Sequence, residues 1–249
     1  MSQNYERVKE FAEKSLGEIP QVIDLLFKID EDAAMEQFNQ NNLLYLGRSH
    51  LSLKTRVLIA ISVALANGPK ESAMIHYRLA RRFNISPLEI LDAIRVTKMA
   101  LMSSTLDSLE PILETFVRDE DSGGVQEAKS LLLSLKKETG IAPERVEDAS
   151  IFSLALAKEH LREKKEMLKP RSLNMKDVFA IAFAVSASIR DRECEMIYLD
   201  QLRKNGGTKE EVEDILTTVR FIVGNRAFVN SLDILKDIAG RGEYHPVGR

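Results

Sequence analysis

Sliding the 249-residue chain against itself by 122 positions lays residues 51–92 over residues 173–214 with eleven identities. They are Leu51/Leu173, Lys54/Lys176, Ile59/Ile181, Ala60/Ala182, Val63/Val185, Glu71/Glu193, Met74/Met196, Ile75/Ile197, Arg81/Arg203, Glu89/Glu211 and Asp92/Asp214. Two capping boxes superpose under the same shift, Ser86-Pro87-Leu88-Glu89 and Thr208-Lys209-Glu210-Glu211. Upstream, Gly17…Pro20 finds a loose counterpart in Gly140…Pro143, so the whole unit reads as duplicated. The units are placed at 1–121 and 125–249, separated by the polar, Gly-rich stretch 118–124. A repeat of this length is a domain rather than a solenoid module. Two copies of one surface can pack about a pseudo-twofold axis as identical chains do in an isologous dimer, so an intramolecular pseudo-dimer is expected. A unit with an oligomeric origin keeps its other interfaces, and further assembly into a homo-oligomer is expected as well.

Apolar residues recur at helical spacing almost throughout, and no alternating run rich in Val, Ile and Thr suggests a strand. The expected fold is therefore all-α. Caps and breakers place helices near 4–16, from Pro20, near 31–45 before Gly47, near 53–66, near 70–83, from Pro87, and near 105–117.

The composition removes several function classes. Hydrophobic residues make up 44% of the chain, enough for a sizeable core, and the net charge of −3 is spread without a basic stripe, so nucleic acid is not an expected partner. The first residues lack an apolar h-region and no run approaches the length that spans a bilayer, which points to a cytoplasmic protein without membrane contact. The single cysteine, Cys194, excludes an internal disulfide, and His50, His76, His160 and His245 are scattered, so no metal or cofactor is expected.

Counting back from His76 and from Tyr198, the same helix face holds Ser72 and Cys194 one turn earlier and Pro69 and Asp191 two turns earlier. In this frame the chain resembles the carboxymuconolactone decarboxylase family, whose redox branch is the AhpD-like alkylhydroperoxidases with Cys-x-x-Cys-x-x-x-His at the start of this helix. The likeness covers roughly 51–116 and 173–238 and includes the apolar helix 53–64 and the turns Ser86–Glu89 and Thr208–Glu211. It implies the AhpD-like helical fold and, by family, peroxiredoxin-type activity.

Residue by residue, the family's histidine falls on His76 and Tyr198, and its attacking cysteine on Ser72 and Cys194. The resolving cysteine falls on Pro69 and Asp191, and the proton-relay glutamate on Val57 and Phe179. Neither copy has the dithiol that peroxide reduction needs. The resemblance therefore leaves His76 with Glu71 for acid–base work, and Cys194 as a one-cysteine redox centre resolved by an external thiol. Non-redox members act on a lactone carboxylate, for which Arg56 would hold the acid group beside His76. A non-catalytic scaffold or small-molecule binding module is the alternative.

Several expectations concern surroundings rather than chemistry. Cys194 reads as a partly buried, inert thiol, and Glu71 and Glu193 as first-turn acids complementing the helix dipole. Met74/Met196 and Ile75/Ile197 read as core, and 119–121 and Lys164-Lys165-Glu166 as solvated surface. His76 and Cys194 form one composite site only if the pseudo-twofold brings them into hydrogen-bonding reach.

Overall fold

The computed structural model describes residues 2–116 and 125–241. The 118–124 linker, the acidic 119–121 cluster and His245 lie outside the described residues. Among the described residues there are helices and no strands. The first copy contributes α1 (Gln3–Leu16), α2 (Gln21–Ile29), α3 (Glu31–Asn41), α4 (Leu53–Asn67), α5 (Lys70–Arg82), α6 (Pro87–Ser104) and α7 (Leu109–Phe116). The second repeats the order as α8 (Val125–Thr139), α9 (Glu144–Phe152), α10 (Leu154–Met167), α11 (Met175–Ile189), α12 (Arg192–Lys204), α13 (Lys209–Asn230) and α14 (Leu232–Gly240). Both capping boxes form, each with reciprocal side-chain and backbone bonds.

Two helix boundaries differ from the sequence reading. The segment expected as one helix to residue 45 is α3 followed by a π-helical turn, Asn42–Leu46. Gly47 closes it, its amide donating to the Asn42 carbonyl at 2.7 Å, and a Cβ at Gly47 would sit 2.6 Å from that carbonyl oxygen. The helix expected over 105–117 is a short 3-10 turn, Thr105–Ser108, running into α7.

The core is organised on α4 and α11, each buried on all sides over ten consecutive residues, 55–64 and 177–186. These helices touch at equivalent positions near their N-terminal ends and, one residue out of register, near their C-terminal ends. Thr55 donates to Asp177 at 2.7 Å, and Asn67 donates to Ser188 at 2.8 Å. Matched contacts at both ends require α4 and α11 to run side by side in the same direction, with the pseudo-twofold axis along them.

The copies exchange their outer helices. Leu25, Leu26 and Ala34 of α2 and α3 form a satellite core with Leu235 of α14, joined by Phe228 of α13. The counterpart joins Leu106 and Leu109 of the first copy to Ala149 and Ala157 of the second. Two carboxylates repeat the exchange in polar form. Asp92 on α6 accepts from the backbone amides of Arg171, Ser172 and Leu173, and Asp214 on α13 accepts from the amide of Leu51, 122 residues before Leu173. Within each copy a third matched pair forms, Lys54–Glu89 at 2.8 Å and Lys176–Glu211 at 2.7 Å. Six of the residues shared by the two copies are thus spent on this polar frame.

The Met74/Met196 expectation is corrected: these side chains are 39% and 65% exposed. On α5 the buried face is Ser72, Ala73, His76, Leu79 and Ala80, and residue 74 falls between its rows. Ile75 and Ile197 are half-buried.

Candidate functional site

Ser72 and His76 lie one turn apart on the buried face of α5, and both line a cavity of about 110 Å³. Its other walls come from α1 and α2, from α3 and the π-helical turn, and from α13 of the second copy. The π-helical turn delivers Tyr45, which is buried and meets the His76 ring edge to face, with centroids 5.3 Å apart. Phe221 of α13 stacks on the other side of Tyr45 at 6.0 Å. A π turn at such a place is a common way of aiming a side chain that a regular helix would misplace.

No ionised side chain lines this cavity. Arg56 is buried but does not face the cavity. Its guanidinium donates to the carbonyls of Tyr45 and, at 3.1 Å, Leu46, capping the π-helical turn. Burial pulls its pKa down, and the attraction of Asp214 opposes that. Glu71 is exposed and belongs to an outer groove that it shares with Lys70, Arg78 and Glu18, so the fold does not bring it to His76. Five residues along a helix turn a side chain by about 140°, which alone separates the two.

Burial without a counter-charge lowers the His76 pKa from 6.5 to about 4, so the ring is neutral at pH 7. Its Nδ1 and the Tyr45 hydroxyl are both buried and have no hydrogen-bond partner among the described residues. Burial raises the Tyr45 hydroxyl's pKa far above its ordinary value, and that group stays protonated. His160, in the second copy, is likewise brought down to about 4, by burial first and then by Lys164 and Arg145. Between pH 6.5 and 4 the unfolded chain binds protons on these rings that the folded chain refuses. Stability is therefore complete above about 6.5 and falls as pH drops through that window. Urea unfolding at pH 7 and pH 5 should show this loss and a smaller one in His76→Gln; equal losses in the two proteins would exclude a contribution from His76.

The equivalent place in the second copy holds a different chemistry. Ile23, Phe38 and Val229 of the cavity wall correspond, 122 residues away, to Arg145, His160 and Asp107. Arg145 is buried and its guanidinium lies among the site positions. It donates to Asp191 at 2.8 Å, to the Ser103 carbonyl at 2.9 Å and to the Cys194 sulfur at 3.4 Å, and pairs with Glu193 and Asp107. Asp191 in turn caps α12 by accepting from the Cys194 amide at 3.0 Å. Burial works against its ionisation, but Arg145 and that amide outweigh the burial and hold its pKa below the usual carboxylate value.

Cys194 is 0% exposed, more deeply buried than the sequence suggested. Burial pushes its thiol up to about 11 despite Lys164 and Arg145, so it is protonated at neutral pH. The Lys164 ammonium sits 5.2 Å from the centre of the Tyr198 ring and the residue is half-buried, which corrects its assignment to solvated surface. Glu71 and Glu193 both lie in the first turn of their helices, as expected, and Glu193 in addition pairs with Arg145, whereas no ion pair of Glu71 forms among the described residues.

His76 and Cys194 do not make one composite site: the cavity beside His76 does not include Cys194, and the neighbours of the two residues are disjoint. Tyr45, Asn225 and Phe221 were missed by local reading because they come to the cavity wall from a π turn and from the other copy. Arg145 was legible in principle, as a charged residue standing 122 positions after an apolar one.

A sequence profile of the carboxymuconolactone decarboxylase family matches this arrangement twice, over residues 31–110 and 158–237. The chain belongs to the carboxymuconolactone decarboxylase family. Both matched spans include the helix that carries the site position, α5 or α12. A solved structure from Burkholderia xenovorans LB400, provisionally assigned as a γ-carboxymuconolactone decarboxylase subunit, has the same fold. It is 16% identical with a TM-score of 0.78, covering 96% of this chain and 98% of that one. No curated protein matches the chain. As a member of the family, the protein is a tandem form whose first site position keeps histidine in an apolar cavity and whose second is occupied by a buried charge cluster. No helix among the described residues is long and apolar enough to cross a membrane.

Proposed function

We propose that this protein is a small-molecule binding module of the carboxymuconolactone decarboxylase family, with the cavity beside His76 as its working site. The observation that carries this reading is a mainly apolar cavity of about 110 Å³ lined by His76, whose buried Nδ1 is unpartnered among the described residues. An apolar cavity of about 150 Å³ admits benzene, so the space of about 110 Å³ here takes a ring with a small outward shift of its walls. Burial of an apolar guest would supply the affinity, and the imidazole its orientation.

The alkylhydroperoxidase reading is disfavoured by the state of Cys194. A protonated thiol with no access to solvent and no second cysteine can neither attack peroxide quickly nor close a disulfide. Sulfenic acid formation by hydrogen peroxide in the folded protein is expected to run no faster than for an unperturbed thiol, as followed by a sulfenate-trapping reagent and mass spectrometry. Rapid trapping at Cys194 would restore the redox reading. The decarboxylase reading for a lactone carboxylate lacks a cation in the cavity, since Arg56 is committed to backbone carbonyls.

Self-association is part of the same proposal. Exposed apolar residues recur at equivalent positions of both copies, Met74 with Met196, Tyr77 with Leu199 and Ile94 with Leu216. Paired retention of exposed apolar surface supports a homo-oligomer and repeats at 1–121 and 125–249 derived from a self-associating unit. A cytoplasmic setting agrees with the lone reduced cysteine. The site itself is tested with toluene as a neutral probe of the full chain. Saturable shifts of the signals of the cavity wall, His76, Tyr45 and Phe221 among them, are expected, whereas their absence there would overturn the assignment.

A further inference from the structure

We infer that the ligand of the His76 cavity is a small, uncharged aromatic alcohol, its ring held among aromatic walls and its hydroxyl read by His76 and Tyr45. This rests on the cavity being the working site and adds the chemical class of what enters it.

Five of the chain's fifteen Phe and Tyr side chains line this one cavity: Phe11, Phe38, Tyr45, Phe221 and Phe228. They are arranged as interacting rings. Phe11 meets Phe38 edge to face at 5.3 Å, and Tyr45 joins Phe221 to His76. Walls that offer both ring faces and ring edges favour an aromatic guest over an aliphatic one of equal volume.

Charge gives the second constraint. The nearest ionisable groups of the outer groove, Lys70, Glu71, Arg78 and Glu18, are absent from the cavity wall. A carboxylate or ammonium carried inside would lose its hydration and meet polar side chains such as Gln37, Ser72 and Asn225 but no counter-charge, so an ionised guest is disfavoured on energetic grounds.

The third constraint is the pair of orphaned polar atoms. Both residues line the cavity; the neutral His76 ring can present a lone pair at Nδ1 and the Tyr45 hydroxyl a donor that nothing among the described residues satisfies, and as both atoms are covered, a guest reaches them by displacing what covers them. Buried groups left in this way are costly unless something fills the gap. A hydroxyl is the smallest group that both donates and accepts, so it can answer an acceptor and a donor on adjoining rings. A ketone can answer only donors, and a hydrocarbon neither.

The experiment is a ligand series on the intact protein at pH 7, read by calorimetry and by the imidazole signals of His76. Phenol is expected to bind at least tenfold more tightly than toluene, which has the same shape without the hydroxyl. Benzoate is expected not to saturate. In Tyr45→Phe, which removes only an unpartnered hydroxyl, and in His76→Gln, the preference for phenol over toluene is expected to shrink several-fold. Toluene binding as tightly as phenol, or an undiminished preference in both variants, would overturn the aromatic-alcohol assignment while leaving the cavity as the site. Saturable benzoate binding at His76 would overturn the requirement for an uncharged guest. Failure of every ring compound to bind would overturn the site assignment itself.

Discussion

Replacing Arg145 by methionine is expected to lower the unfolding free energy by about 3–5 kcal/mol, the cost typical of breaking a buried ion pair from one side. The guanidinium is buried and serves Asp191, Glu193, Asp107, the Ser103 carbonyl and Cys194 together. Without it the buried carboxylate of Asp191 must ionise unpaired or take up a proton and weaken the cap of α12. Adding Asp191→Asn to the methionine variant removes the stranded charge while leaving an amide oxygen to accept from Cys194, so the double variant should regain part of the loss. Urea denaturation of the single and double variants measures both terms. A loss below about 1 kcal/mol in Arg145→Met would mean that the cluster is solvated in solution, because exposed pairs rarely exceed that value.

The second large effect is expected from Asp92→Ala, at about 3 kcal/mol or more, since three backbone amides of the other copy lose their acceptor together. Asp214→Ala should follow at a smaller cost, stranding the Leu51 amide while Arg48 keeps its pairing with Glu213. Burial opposes ionisation of both carboxyls, but for Asp92 the amides and Arg95, and for Asp214 the Leu51 amide and Arg48, more than offset it. Both pKa values lie below the ordinary 3.8. Their contribution is therefore complete above that pH and disappears as pH falls through the lower folded-state values. The stability gap between wild type and Asp92→Ala should accordingly be full at pH 6 and smaller at pH 2, the remainder being the packing and hydrogen bonding that a protonated carboxyl retains and alanine lacks. A gap that persists unchanged in acid would indicate lost packing rather than a lost carboxylate.

The helices and their doubling were legible because caps and breakers are local signals. Ser86 and Thr208 announce their helices within four residues, and the 122-residue shift needs only counting. The π-helical turn was not legible, because nothing in Asn42–Leu46 distinguishes it from a continuing helix until Arg56 arrives to cap its carbonyls. The Met74/Met196 pair misled the reading because identity between copies was equated with burial. Much of what the copies share is instead a frame of charges and amides, in Lys54, Glu89 and Asp92 and their equivalents. Of the site, the axial pattern on α5 identified His76 and Ser72, but the aromatic wall comes from α1, α3 and α13, which are distant in sequence.

The exchange of outer helices between the copies has a consequence for how the chain acquires its structure during synthesis. When the first copy has left the ribosome, α2 and α3 still lack Leu235 and Phe228, and the loop before α11 that Asp92 binds has yet to be made. The parallel partner of α4 is missing as well, so the face of this apolar helix that α5 and α6 do not cover waits open for more than a hundred residues of translation. Folding to completion is thus deferred until α14 emerges, and the exposed interval is the time in which such a chain is open to aggregation or to a holding chaperone.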